Sequence, residues 1–595
     1  MKLSDYVAKF LAEQGIRHVF AVTGGAAAHL IDSIAKTQGI EYVCPQHEQA
    51  GAMAADAYAR VTGNLGAAIA TSGPGATNLL TGICSAYYDS IPVLYITGQV
   101  ATFRQKKDTG VRQIGFQETD VIAMFRHVTN YSVQIRNEKD IRYELEKACY
   151  LAKDGRPGPV LVDIPDNLQR AAVDPKKLKG FVAPCKKNIP ALIDKQIDSC
   201  IKMLSCADRP VVILGGGVRL AGAIREAKRF INKQKLPFAP TWAVADILPS
   251  RHACSIGTFG THGTRYANFA VQNADLILSI GSRLDTKATG SPISTFARGA
   301  KKIIVDIDKN ELGKFKRFNL DVDVLIHCDA KVFLQKLNAK IQRVKKKNIS
   351  AWFRQISTWK SAYPICPSRY CGEKKINPYV FVKTLSRKCK NGDHLVVDTG
   401  CCLAWMMQGF EFKKDQRLFH DWNNTAMGWA LPASIGASFA KDRASIICVT
   451  GDGSLHMNLQ ELATIIRHQL PIKIFLVNND GYSMIRQTQD QWLGSCYVAS
   501  SVKGGLPEIN FSKIARSYGF HTLDVSRNSD LEECVQRVFK KKGPVFCNVH
   551  ISSEHRVIPQ VKYGRPNEDL EPLLNRKEFL RNMIIKPCLE SIKMP

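Results

Sequence analysis

Residues 449–482 read VTGDGSLHMNLQELATIIRHQLPIKIFLVNNDGY: Asp452 stands between two glycines at the end of one apolar run, and Asn479 at the end of the next. The pattern predicts a buried parallel strand over 445–450, a crossover helix over 455–469 and a second strand over 472–477. A βαβ unit sets the carboxyl ends of its strands side by side, where open α/β sheets take ligands, so Asp452 and Asn479, 27 residues apart, are expected to be neighbours. One carboxylate and one amide oxygen suit Mg²⁺, which takes few protein oxygens and leaves the rest of its shell to phosphates and water. Gly451 and Gly453 let backbone N–H groups approach a diphosphate, and the helix that follows adds positive field at its start. The stretch predicts a magnesium-diphosphate cradle.

The same alternation runs outward along the chain. Strands are predicted in 18–25, 39–44, 66–75, 92–99 and 155–167, and helices over 29–37, 48–62 and 77–90. A second α/β unit has its strands in 209–222, 274–285 and 301–313, and a third in 393–402, 444–454, 471–481 and 543–552. The expected organisation is an N-terminal domain over 1–170, a central domain over 191–340, a C-terminal domain over 375–552 and an arm over 553–595, with a linker around 170–190. All three domains are expected to be α/β, with parallel sheets flanked by helices.

Composition removes several classes of function. A chain of 595 residues, 45% of them hydrophobic, has the apolar surface for two to four domains. No run approaches the roughly 18 apolar residues of a membrane span, and the start MKLSDYVAKFLAEQG reads as an amphipathic helix, so no membrane partner and a cytoplasmic location are expected. The 18 cysteines are scattered, and Cys84, Cys448 and Cys547 fall in apolar runs, as reduced core residues do. The formal charge of +29 is spread along the chain, densest at 341–348 and 539–543, without the aromatic–basic pattern of nucleic-acid binders. Attraction of anionic metabolites accounts for it better.

The GDGS and NN pair resembles the fingerprint of thiamin-diphosphate enzymes. The resemblance implies thiamin diphosphate beside Gly451, Gly453 and Ser454, with Mg²⁺ on Asp452, Asn479 and the Gly481 carbonyl. It also implies a glutamate for the aminopyrimidine ring, and CPQHEQAGAMAADAYARVTG (44–63) supplies Glu48 at the start of a helix rich in Ala and Gly. For His47 a structural and a catalytic role both stay open. HEQAGAMAADAYARVTG, TSGPGATNLLTGICSAYYDSIPVLYITGQV, FQETD, GRPGPVLVDIP and NTAMGWALPASIGA together are similar to the large catalytic subunit of the acetolactate synthases. That similarity implies that Met427 bends the cofactor, that the backbone at Thr425 accepts its amino proton, and that Phe116 and Gln117 face the reacting carbons. It further implies FAD in the central domain, near Gly216, Gly217, Arg283 and Asp306. A homodimer or dimer of dimers is implied, with Glu48 and the metal site of one centre on different subunits and helix 48–62 suited to that contact; a small regulatory subunit is a further partner left open.

Three positions depart from the acetolactate synthase pattern at its acceptor end: Asp166 in place of Lys, Lys287 in place of Arg and Thr488 in place of Trp. Lys is a point charge where Arg binds bidentately, and Asp repels an acid. The expected reaction is decarboxylation of a 2-oxo acid, most simply pyruvate, with transfer of the two-carbon unit to an acceptor carbonyl. Acetolactate formation, a carboligase with an aldehyde or keto-sugar acceptor, and a flavin-linked oxidase remain alternatives.

Overall fold

The computed structural model describes residues 1–185, 192–343 and 347–592. The expected start of the second domain at residue 191, the end of the linker and the middle of the basic run at 341–348 lie outside these residues.

Three parallel sheets succeed one another. The first holds β1 (His18–Ala21), β2 (Glu41–Val43), β3 (Gly66–Ala70), β4 (Val93–Gln99), β5 (Tyr131–Gln134) and β6 (Val160–Pro165), in the order β2-β1-β3-β4-β6-β5. The second holds β7 (Pro210–Leu214), β8 (Phe238–Pro240), β9 (Leu276–Ile280), β10 (Lys301–Asp306) and β11 (Val324–His327), in the order β11-β10-β9-β7-β8. The third holds β12 (His394–Val397), β13 (Arg417–Phe419), β14 (Ile446–Gly451), β15 (Lys473–Asn478), β16 (His521–Val525) and β17 (Val545–His550), in the order β13-β12-β14-β15-β17-β16. First and third sheets therefore share one topology. Central strands such as β4 and β15 are buried along their whole length, as parallel strands covered on both faces must be. In each sheet the order reverses beside the first strand, between β1 and β3, β7 and β9, and β12 and β14, and ligand crevices open at such points.

The predicted helix over 48–62 is observed as Glu48–Thr62, but its small residues serve a contact within the chain. A Cβ at Gly66 would fall 2.0 Å from the Ala55 carbonyl oxygen, one at Gly436 2.0 Å from that of Ala54, and one at Gly82 2.4 Å from Ala52 Cβ. Glycines of β3, of helix Ala430–Ala440 and of helix Leu80–Asp89 thus all close onto one Ala-rich helix. A single apolar core results, running from Met53 and Ala86 to Trp429, Ile435 and Leu462. Within the chain, this helix joins the first and third domains.

The expected crossover helix over 455–469 is two short helices, Asp452–His456 and Glu461–Arg467. The C-terminal arm is docked rather than free. Phe579 is fully buried, Glu568 takes the Gln272 amide at 2.5 Å and pairs with Arg298 at 2.9 Å, and Arg265 donates to the carbonyls of Leu570 and Pro572.

Candidate active site

β14 ends in Gly451 and β15 in Asn478, adjacent strands in parallel register, which brings Asp452 and Asn479 together. Asp452 Oδ1 accepts the Gly453 N–H at 2.9 Å and Oδ2 the Gly481 N–H at 2.8 Å. Burial pushes this carboxyl up to about 6, against the opposing pull of those two donors. Asn479 Oδ1 is buried and has no partner. An unpaired buried oxygen beside a buried carboxylate is costly unless something binds both, and an oxygen-seeking divalent cation would do so. Among the described residues no cluster of three His, Cys, Asp or Glu offers a softer metal site. Arg486 fixes the loop after β15 by donating to the Asn479 carbonyl at 3.2 Å, to that of Ser500 at 2.9 Å and to that of Asp480.

The two glycines around Asp452 have different reasons. A Cβ at Gly453 would fall 2.0 Å from the Tyr482 ring, so packing requires glycine there. A Cβ at Gly451 would meet nothing within 4 Å and would project into open space beside the cradle. That space and the oxygen donors fit a magnesium-bound diphosphate.

Asp398, at the end of β12, holds the neighbouring turn. It accepts the N–H groups of Thr399, Gly428 and Ala430 and the Thr450 hydroxyl, with the Ser454 hydroxyl also on it. Gly428 is thereby seated over Ser454 and, at φ +80°, would bring a Cβ within 2.9 Å of the Ser454 carbonyl. Thr425 has a positive φ of 54°.

Glu48 opens its helix behind His47, whose Nδ1 accepts the Gln49 N–H at 3.1 Å, a structural capping role. Asn78 Nδ2 donates to Glu48 Oε2 at 2.9 Å. A Cβ at Gly75 would lie 3.3 Å from Glu48 Oε1 and one at Gly73 3.0 Å from Gln117 Cβ, so the tight turn at 72–75 brings Glu48 and Gln117 to one place. Phe116 beside it is 84% exposed. From the third domain, Glu461 accepts the Gln46 N–H at 2.9 Å and the Thr464 hydroxyl at 2.7 Å, anchoring the segment that leads into Glu48. No hydrogen bond or ion pair among the described residues joins Glu48 to Asp452 or Asn479.

A cavity of 1110 Å³ opens at the reversal point of the central sheet, lined by Gly216, Gly217, Arg283 and Asp306 and reached by Trp422 and Asn423 of the third domain. Gly217 is glycine because a Cβ would meet Gly281 Cα at 2.9 Å, and its N–H already donates to the Gly281 carbonyl at 2.9 Å. Arg283 pairs with Glu311 at 3.3 Å. Asp306, raised by burial, uses Oδ1 for the Asp308 N–H at 3.0 Å.

Residues 1–124 match the family described as thiamine pyrophosphate enzyme, N-terminal TPP binding domain; residues 197–337 match its central domain and residues 398–549 its C-terminal TPP binding domain. The chain is 33% identical over 573 residues to the acetolactate synthase large subunit of Pyropia yezoensis, covering 94% of this chain and 93% of that one. It is 32% identical over 584 residues to acetolactate synthase 2, chloroplastic, of Nicotiana tabacum (96% and 85%), and 31% identical over 567 residues to acetolactate synthase isozyme 1 large subunit of Escherichia coli (95% and 97%). The chain belongs to the acetolactate synthase family of thiamine pyrophosphate enzymes.

As an acetolactate synthase-like enzyme it is a thiamin-diphosphate-dependent transferase or carboligase. No helix among the described residues is long and apolar enough to cross a membrane. Of the three positions that depart from the acetolactate synthase pattern, Lys287 lines the central cavity, and Asp166 and Thr488 are not part of that lining. Asp166 Oδ1 is buried without a partner, and the Thr488 hydroxyl is turned back onto the Met484 carbonyl at 3.2 Å. Asn78, Asp398, Glu461 and Arg486 escaped the sequence analysis. Asp398 had a signal, an acid at the end of an apolar strand like the one before Asp452; Asn78 and Glu461 act across elements and had none.

Proposed function

We propose that the chain decarboxylates a 2-oxo acid, most simply pyruvate, and joins the two-carbon unit to an acceptor carbonyl, using thiamin diphosphate and Mg²⁺. The observation that carries this is the pairing of Asp452 with the unpartnered Asn479 Oδ1 at neighbouring strand ends. Those two oxygens and the Gly481 carbonyl would hold the cation, with Gly451, Gly453 and Ser454 along the diphosphate. Thiamin diphosphate, when bound, supplies a nucleophilic carbon and an electron sink for loss of CO₂. Glu48, held by Asn78, would be the carboxyl group that exchanges a proton with the aminopyrimidine ring. The backbone at Thr425 would accept from its amino group, the Met427 side chain would lie against it, and Phe116 and Gln117 would face the substrate.

Two copies of the chain complete each centre in this proposal. The exposure of Phe116 and the absence of a direct link between Glu48 and Asp452 within one chain support it. FAD is proposed for the central cavity, along Gly216, Gly217, Arg283 and Asp306: the volume suits a large cofactor, and an acid at a strand end beside a glycine turn suits a nucleotide ribose. Most of the cysteines are buried or half-buried, as reduced core thiols are, which supports a reducing, cytoplasmic setting.

A second possibility concerns the acceptor. The unpartnered Asp166 Oδ1 favours a neutral acceptor with hydroxyl donors, an aldehyde or keto-sugar, over a second 2-oxo acid. Labelled pyruvate supplied with a panel of acceptors separates the outcomes by product mass. Faster pyruvate consumption with a larger carbonyl acceptor supports the carboligase; efficient 2-acetolactate formation that no acceptor improves returns the chain to acetolactate synthesis; peroxide formation would mark an oxidase.

A further inference from the structure

The segment 421–427 spans two features of the molecule. Trp422 and Asn423 line the central cavity, while Thr425 and Met427 belong to the proposed thiamin site. Helix Leu80–Asp89 of the first domain holds it from outside. Asp89 accepts the N–H groups of Trp422 at 2.8 Å and Asn423 at 3.1 Å, and the Ser85 hydroxyl donates to Asp421 Oδ2 at 2.8 Å. The same Oδ2 accepts the Ala426 N–H at 2.8 Å, and the Asp421 carbonyl accepts the Thr425 N–H at 3.1 Å. One carboxylate oxygen thus closes the turn on itself and on the neighbouring domain. That closure holds Thr425 at its positive φ, a conformation uncommon for a β-branched residue.

The other oxygen, Oδ1, is buried and has no partner. Charges around it do not balance. Arg60 pairs with Asp56 at 2.8 Å and with Asp89 at 2.8 Å, so Asp421 is a third carboxyl facing a single guanidinium. Cys84, raised by burial and by Asp421 itself, and His420, which burial pushes down to about 3 and so keeps neutral, supply no positive charge. Burial, then Asp89, push the Asp421 carboxyl up to about 7. A proton on Oδ1 leaves Oδ2 able to keep both donors.

We propose that Asp421, with Ser85, is a positioning residue for the 425–427 turn, setting the Thr425 carbonyl and the Met427 side chain against the cofactor without touching it. This rests on the thiamin-site proposal above.

The test compares wild type, Asp421→Ala, Asp421→Asn and Ser85→Ala as full-length enzyme, measuring thiamin-diphosphate dependence, kcat and KM for pyruvate across neutral pH. Asp421→Ala should lower kcat ~10–100-fold, the scale of one lost charged hydrogen bond, with KM for pyruvate little changed. Asp421→Asn keeps an oxygen toward Ser85 and Ala426, so it should restore most of kcat and lose the inflection near neutral pH. Ser85→Ala should show a smaller loss of kcat in the same direction. Wild-type kcat and pH profile in Asp421→Ala would overturn the inference, as would equal losses in the Asn and Ala variants. If Asp421→Ala does not fold, an unchanged pH profile in Asp421→Asn together with wild-type kcat in Ser85→Ala overturns it. A wild-type enzyme indifferent to thiamin diphosphate would overturn the thiamin site and this inference together, whereas thiamin-dependent variants with unaltered kcat overturn this inference alone.

Discussion

Asp452 Oδ2 accepts the Gly481 N–H at 2.8 Å, tying the end of β14 to the loop after β15 and leaving Asn479 Oδ1 beside them, buried and unpaired. The strand–helix–strand unit 445–479 thus builds a buried polar site at its strand ends.

Glu48 stands apart from that site, held by Asn78 at the head of its helix. Glu48→Gln is expected to leave folding and cofactor affinity near wild type and to slow turnover ~10²–10⁴-fold, the usual span of a general acid–base contribution. Single-turnover kinetics check it, and unchanged turnover would mean that another carboxylate serves the ring.

If each centre takes Glu48 from one copy and Asp452 from another, two impaired variants complement each other. Mixed Glu48→Gln and Asp452→Ala chains should recover part of the wild-type activity after subunit exchange, whereas each alone keeps only its own residual activity. Activity assays combined with mass measurement in solution check this; a fully active monomer contradicts it.

Packing on the Ala-rich helix gives a prediction independent of catalysis. Gly66→Ala would drive a methyl group to 2.0 Å from the Ala55 carbonyl oxygen, a backbone atom with no room to yield. A loss of ~1–3 kcal/mol is expected, the usual cost of overpacking a core, and is measured as a lowered urea midpoint. An unchanged midpoint would show that β3 shifts freely against the helix.

Glu461 sets a pH dependence of stability. Burial pushes its carboxyl up to about 7, against the pull of Thr464 and the backbone N–H groups of Gln46 and His47. Between the ordinary carboxylate range and about 7 the folded chain holds a proton that the unfolded chain has released, so this group's contribution makes stability fall as pH rises through that window. Glu461→Gln should flatten that slope and match or exceed wild-type stability above neutral pH, as read from urea midpoints against pH. A variant with the same slope as wild type would assign the dependence to other groups.

What the sequence made legible follows burial. Strands β4, β14, β15 and β17 lie inside their sheets, covered on both faces, and read as unbroken apolar runs. Within the three parallel sheets, the strands that escaped, β5, β8, β11, β13 and β16, are all edge strands. They are short or half-exposed, as YSVQ in β5 and HTLDV in β16 illustrate, and carry too little pattern to be told from loops. The site follows the same logic. Asp452 and Asn479 come from consecutive strands, so spacing places them; Asn78 on Glu48, Glu461 on Gln46 and Ser85 on Asp421 act between elements far apart in the chain, where no local pattern carries the signal.

In the function proposed here, Asp452 and Asn479 hold a divalent cation that in turn holds thiamin diphosphate. Calorimetric titration of thiamin diphosphate into the stripped full-length chain, with and without Mg²⁺, and into Asp452→Ala and Asn479→Ala, tests it most directly. Tight binding that requires Mg²⁺ is expected in the wild type, with a loss of at least ~10²-fold in each variant, since each removes a ligand from a cation with few protein donors. Wild-type affinity in Asp452→Ala, or binding by the wild type that is indifferent to Mg²⁺, would contradict it.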